Sequence, residues 1–250
     1  AEPYLEWVVE DRFAAGRPDW TAGGARFVAE AAPFETLKLR MVNGAHSALA
    51  YLSVTAGWAT VDQAMAQPAL KAYLGTLMRD EIVPTLPALP GLDLAQYQAR
   101  LLQRYENPAR KQQTRQIAMD GSQKLPQRLL DTVRARLAAD LPIPGLALAV
   151  AGWLHFLRGV DQAGRRYEIQ DPMAGRLAQQ YARAEEAAQG AGEGPAAMLA
   201  WAGSLTSLAP VFGGLGQDPR FVRAVAQAAQ SLRSQGVAGA LAALARPAPR

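Results

Sequence analysis

Apolar residues recur at intervals of three and four along "FETLKLRMVNGAHSALAYL", and this rhythm predicts a helix from Phe34 to about Ala56, with Gly57 as its C-terminal stop. The same periodicity carries on almost without interruption. Thr60 is placed to cap a short helix, and a longer one runs from Pro68 to Val83, before Pro84. Asp93 can cap "LAQYQARLLQRY", and Asn107-Pro108 restarts the chain into "ARKQQTRQIAM". Ser122 is expected to open a helix reaching about Ala139, and an apolar helix at 145–158 reads as buried. The stretch "GVDQAGRRYEIQDP" looks like a hairpin, and two or more helices fill 172–245, broken at "QGAGEGP" and "GGLGQDP".

The opening differs. "LEWVVED" (5–11) and "RFVAE" (26–30) are short and rich in β-branched or aromatic residues, and a turn-rich loop separates them. Two such strands are not a stable unit alone, so they are expected to complete a sheet lying elsewhere. The fold class is mostly α, with a small β fragment at the N-terminus.

Composition narrows the chemistry. The 250 residues carry a formal charge of +4 and a pI near 9.6, yet 26 basic residues interleave with 22 acidic ones, and no basic block with aromatics points to nucleic acid. Leu141 to Leu157 is short for a membrane span and holds two prolines, so no membrane partner is expected. No signal peptide is recognisable, and an Ala1 start is expected of an excised piece. The absence of cysteine excludes thiolate metal sites and cysteine nucleophiles and fits a reducing compartment, the cytoplasm by default. His46 and His155 stand far apart, so no metal site is expected. The run Gly190, Gly192, Gly194 has the wrong third spacing for a dinucleotide fingerprint and follows a helix, as do Gly213, Gly214 and Gly216.

Lys38, Asn43 and His46 interrupt an otherwise apolar helix. On an α-helical wheel they project at about 0°, 140° and 80°, one broad face that could line a cleft. The alternative is that Lys38 snorkels to solvent while Asn43 and His46 satisfy neighbouring backbone.

"EWVVEDRFAAGRPDW", "KLRMVNGAHSALAYL", "RYENPARKQQTRQIAMDGSQKLPQR" and "GWLHFLRGVDQAGRRYEIQDP" together closely resemble the polyol-specific long-chain dehydrogenases, the mannitol 2-dehydrogenases and fructuronate reductases. The resemblance runs along essentially the whole chain, in order. It implies that residues 1–32 are the last strands of a Rossmann-type dinucleotide-binding domain otherwise missing here, and 33–250 a helical catalytic and substrate domain. It implies NAD or NADP as cofactor, bound mainly by that missing partner domain, with no cofactor-binding residue in this chain, and a polyol or hexuronate as substrate.

Carried over residue by residue, the resemblance makes Lys38 the general base. A lysine can take the hydroxyl proton of a secondary alcohol when burial or nearby cations favour its neutral form. Asn43 and His46 would donate hydrogen bonds to the oxygen where negative charge grows, without a metal. Lys124 and Arg128, in "DGSQKLPQR", are candidates for the substrate cleft, and a cation there suits a substrate carboxylate. A helix capped by Ser122 with exposed basic residues beyond it is the other reading of that motif. His155 is expected to be a core or rim histidine, and Arg40 to pair with a carboxylate. The expected function is the catalytic half of a nicotinamide-dependent, metal-independent oxidoreductase. A catalytically silent helical module that lost its cofactor domain is the alternative.

Overall fold

The computed structural model describes residues 6–244. Strands β1 (Trp7–Glu10) and β2 (Ala25–Val28) pair in parallel, in the register Trp7 to Ala25 through Glu10 to Val28. Leu5, the first residue of the expected strand, lies outside the described residues. Trp20 stacks on both Trp7 and Phe27, and Phe13 packs edge-on against Trp20 and Phe27. Trp7 and Phe13 nonetheless remain 42% and 37% exposed, so the pair does not enclose its own apolar face.

Most of the remainder is helical: α1 (Ala32–Leu37), α2 (Ala45–Ala56), α3 (Val61–Met65), α4 (Pro68–Thr76), α5 (Leu94–Tyr105), α6 (Thr114–Ala118), α7 (Gly121–Leu125), α8 (Asp131–Ala138), α9 (Pro144–Phe156), α10 (Ala174–Gly190), α11 (Pro195–Thr206), α12 (Ala209–Phe212) and α13 (Pro219–Leu244). Three π-helical segments interrupt this order. Lys38–Gly44 joins α1 to α2, Leu77–Ile82 extends α4, and Pro126–Leu130 joins α7 to α8.

Helices α2 and α9 form the centre, buried on nearly every side as their unbroken apolar runs require. They touch closely at Gly152, where a Cβ would stand 2.9 Å from Leu52 Cδ2. The α9 N-terminus is capped from outside its own sequence: the buried Glu81 carboxylate accepts from the amides of Gly145 (2.6 Å) and Leu146 (2.9 Å). Around this pair α13 packs on α9 and α11, and α11 on α10.

Local signals and observed ends agree in several places. Gly57 terminates α2 at φ 84°, and Asp93 caps α5 by accepting from the Ala95 and Gln96 amides. Asn107 accepts from the Ala109 amide ahead of a single 3₁₀ turn. The expected hairpin reduces to one antiparallel bridge, Val160 to Arg166. Thr60 stands before α3, but its hydroxyl makes no capping bond there. Asp120, not Ser122, holds the N-cap position of α7, at φ 56°. Ser122 instead donates its hydroxyl (2.6 Å) and amide (2.8 Å) to the Asp171 carboxylate, a partner distant in sequence. Arg40 also departs from expectation, donating to the Thr85 carbonyl at 2.8 Å rather than pairing with a carboxylate.

Among the described helices none is by itself long and apolar enough to cross a membrane, although the bent pair Pro195–Thr206 with Ala209–Gln217 reaches that length and composition.

Candidate functional site

The segment from Leu37 to His46 is held from below by apolar anchors. Leu37, Met41, Ala45 and Leu49 are fully buried and fix the inward face of α1, the π segment and α2. The wider π turn rotates less per residue than an α-helix, so Lys38 and Asn43, five apart, come nearer to alignment than the α-helical wheel implies. Lys38 is exposed, while Asn43 and His46 are partly buried. Among the described residues neither the Lys38 amine nor the Asn43 side-chain amide makes a hydrogen bond, and His46 Nε2 is enclosed with no partner. Buried polar atoms are ordinarily paired, so this enclosed ring nitrogen stands out from the rest of the segment.

The His46 ring lies flat against Tyr105, centroids 4.9 Å apart and planes 11° apart. The Tyr105 hydroxyl donates to the Val42 carbonyl at 2.8 Å, tying α5 to the π segment one residue before Asn43. Tyr105 carries no signal of this contact in the sequence, because nothing in the spacing brings α5 against His46. Burial lowers the His46 pKa to about 3, assisted by the nearby charges of Arg110, Arg128 and Arg104. The imidazole is therefore neutral at ordinary pH and presents a single N–H.

Of the two basic candidates in the second motif, only Arg128 reaches this region. The π segment Pro126–Leu130 packs against Lys38–Gly44, and where they cross a Cβ on Gly44 would stand 2.5 Å from the Arg128 carbonyl oxygen. Arg128 donates to Ser47 Oγ at 3.2 Å, and its Nε is enclosed without a hydrogen-bond partner among the described residues. Burial pulls its pKa below the usual arginine value. Lys124 turns back on its own segment, donating to the Met119 carbonyl at 2.8 Å and pairing with Asp120 at 3.3 Å.

The larger cavities lie elsewhere. One of about 620 Å³ sits between the α8–α9 connection and α13, and one of about 590 Å³ surrounds His155, and neither is lined by Lys38, Asn43 or His46. No cluster of three or more His, Asp or Glu able to hold a metal occurs among the described residues. The glycines at 190–194 connect α10 to α11, and those at 213–216 form a 3₁₀ turn after α12, so neither run is a strand-to-helix phosphate turn. Neither glycine run has the geometry that holds a dinucleotide's pyrophosphate.

Comparison with known proteins places these motifs in context. Residues 30–233 match the family described as mannitol dehydrogenase C-terminal domain. The D-mannonate oxidoreductase of Escherichia coli K12 is 43% identical over 97% of this chain and 48% of its own length. A mannitol 2-dehydrogenase of Aspergillus oryzae is 32% identical over 94% of the chain and 45% of its length. The solved Pseudomonas fluorescens mannitol 2-dehydrogenase, a ternary complex with NAD and D-mannitol, superposes with a TM-score of 0.83 at 33% identity, over 97% of this chain and 47% of that one. The chain thus spans about half the length of the relatives it matches.

Proposed function

The chain belongs to the mannitol dehydrogenase C-terminal domain family, and from that premise we propose that it is the catalytic and substrate-binding half of a nicotinamide-dependent oxidoreductase. The reaction interconverts a secondary alcohol of a linear polyol or sugar acid with the corresponding ketone. The observation that carries this reading is the grouping of Lys38, Asn43 and His46 on one short segment, with no hydrogen-bond partner for the amine, the amide or Nε2 among the described residues.

Lys38 removes the hydroxyl proton as hydride leaves the adjacent carbon. The Asn43 amide and the neutral His46 ring donate to the same oxygen as its negative charge grows, a role that calls for aligned N–H donors rather than a metal ion. Tyr105 keeps the His46 ring in plane. The hydride acceptor is a nicotinamide, NAD or NADP, held by a separate dinucleotide-binding unit that continues the sheet begun by β1 and β2. A parallel pair with an exposed aromatic face supports such a neighbour. Such a metabolic oxidoreductase is placed in the cytoplasm.

For the substrate, Arg128 offers a guanidinium with an unused Nε beside the cleft, and this supports a carboxylate-bearing substrate of the mannonate/fructuronate type over a neutral polyol. Lys124, engaged with Met119 and Asp120, contributes less to the same cleft.

The test uses the chain joined to a dinucleotide-binding unit. Mannonate oxidation should lose about 10²–10⁴-fold in kcat in Lys38→Ala, the usual share of a general base. Full activity of that variant, together with loss of turnover on chelation, would contradict both the base and the metal-free mechanism.

A further inference from the structure

We propose that the cavity around His155 is a second small-molecule site, distinct from the Lys38 cleft, that takes a hydroxylated carboxylate. It encloses about 590 Å³ and lies where the C-terminal ends of α2 and α9 meet α10 and α13. Thr55 at its edge is nine residues beyond His46 on the same helix, about 14 Å along the axis at 1.5 Å per residue.

The lining settles the ligand's chemistry. His155 Nε2 lies 3.2 Å from the Ala229 carbonyl oxygen. A carbonyl only accepts, so Nε2 carries the proton and Nδ1 is left as an acceptor, bonded to nothing among the described residues. The ring is set against Trp201, with centroids 5.2 Å apart, so it cannot turn to hide that nitrogen without losing both contacts. Burial holds the imidazole pKa down at about 4, which keeps Nδ1 an acceptor at neutral pH.

The charges around the cavity are committed, with one exception. The Asp161 carboxylate pairs with Arg165 at 2.7 Å. Glu185 receives Arg233 on both oxygens at 2.8 Å and Trp201 Nε1 at 2.9 Å. Arg158 is exposed and has neither an ion pair nor a hydrogen bond among the described residues. The uncompensated charge of the cavity is therefore a single guanidinium, which suits one carboxylate. Nδ1 calls for a hydroxyl donor on the same ligand, and the exposed Gln162 amide can serve either group.

The room depends on a kink. Helix α13 breaks at Gly236, with φ 68° and ψ −179°, a conformation essentially confined to glycine, and a Cβ there would stand 2.7 Å from Gln162 Nε2. Glycine keeps that wall free of a side chain.

Titration calorimetry of the 250-residue chain with D-gluconate is the test, with acetate, sorbitol and inorganic phosphate as further probes. Gluconate should bind more tightly than acetate, phosphate or sorbitol, because only it meets both the guanidinium and Nδ1. Arg158→Ala, at an exposed position, should weaken binding at least tenfold, whereas Lys38→Ala should bind as the parent does. The chain has only two histidines, so a histidine-labelled NMR spectrum separates the sites: on adding gluconate the His155 ring nitrogens should shift in the parent and in Lys38→Ala but not in Arg158→Ala, whatever the His46 ring does. Absence of binding, equal binding by Arg158→Ala, or loss of binding in Lys38→Ala would overturn the proposal. Equal affinity for acetate or phosphate would remove the hydroxyl requirement and overturn the ligand class. None of these outcomes depends on the reaction assigned to Lys38.

Discussion

The surroundings of the two histidines make an instructive pair. Both rings are partly buried, both lie against an aromatic side chain, and burial depresses both pKa values, to about 3 for His46 and about 4 for His155. They differ in what completes Nε2. In His155 the Ala229 carbonyl does so from α13, whereas in His46 the same atom is enclosed with no hydrogen-bond partner among the described residues. Burial and a shifted pKa therefore do not by themselves separate a packing histidine from a working one. What differs is which ring atoms have hydrogen-bond partners among the described residues.

The sharpest way to break this comparison is at His46. In the chain joined to a dinucleotide-binding unit, the proposed function predicts that His46→Ala lowers kcat about 10²–10³-fold, the typical cost of removing one donor to a developing oxyanion, while thermal stability changes little. Steady-state kinetics beside a melting curve would show whether the two readouts separate. His155→Ala should do the reverse on the stability side. Losing the Ala229 bond and the Trp201 contact should cost about 1–3 kcal/mol of stability, seen as a lowered midpoint in urea. A larger stability loss for His46→Ala than for His155→Ala would end the distinction.

Tyr105→Phe keeps the ring against His46 but removes the tie to the Val42 carbonyl. We expect kcat to fall several-fold with KM nearly unchanged, since the tie positions donors rather than binding substrate. An unchanged kcat would reduce Tyr105 to packing.

A further effect is on pH. Both histidines have folded-state values below the ordinary 6.5, so between about 3 and 6.5 the unfolded chain binds more protons than the folded one. The stability each contributes by staying neutral is present above pH 6.5 and is lost as the pH falls through that window. Melting curves from pH 7 to 4.5 should show this decline, and His46→Gln or His155→Gln should each flatten part of it.

What the sequence revealed followed the range of the forces involved. Gly57, Asp93 and Asn107-Pro108 act on backbone within a few residues, and their roles were legible because neighbours in the chain are neighbours in space. The Lys38, Asn43, His46 grouping was legible as a face. Its π geometry was not, because an i to i+5 register carries no residue-type signature. Ser122 was assigned to a cap because its partner, Asp171, is too far along the chain to be inferred from helix-end rules. Arg40 was expected to seek a carboxylate, and the Thr85 carbonyl it found belongs to a helix end whose position depends on tertiary packing. The strands were placed to within two residues, but alternation of residue types does not distinguish a parallel pair from an antiparallel one.

The backbone crossing at Gly44 and Arg128 has a consequence for redesign. Since not even a methyl group fits between the two π segments, neither can drift in sequence or position without the other. The residues that would handle the reacting oxygen and the guanidinium that would choose the substrate therefore form one transplantable cassette. Because the contact is to the Arg128 backbone oxygen, exchanging "DGSQKLPQR" for the corresponding stretch of a relative should keep the crossing only where position 44 stays glycine.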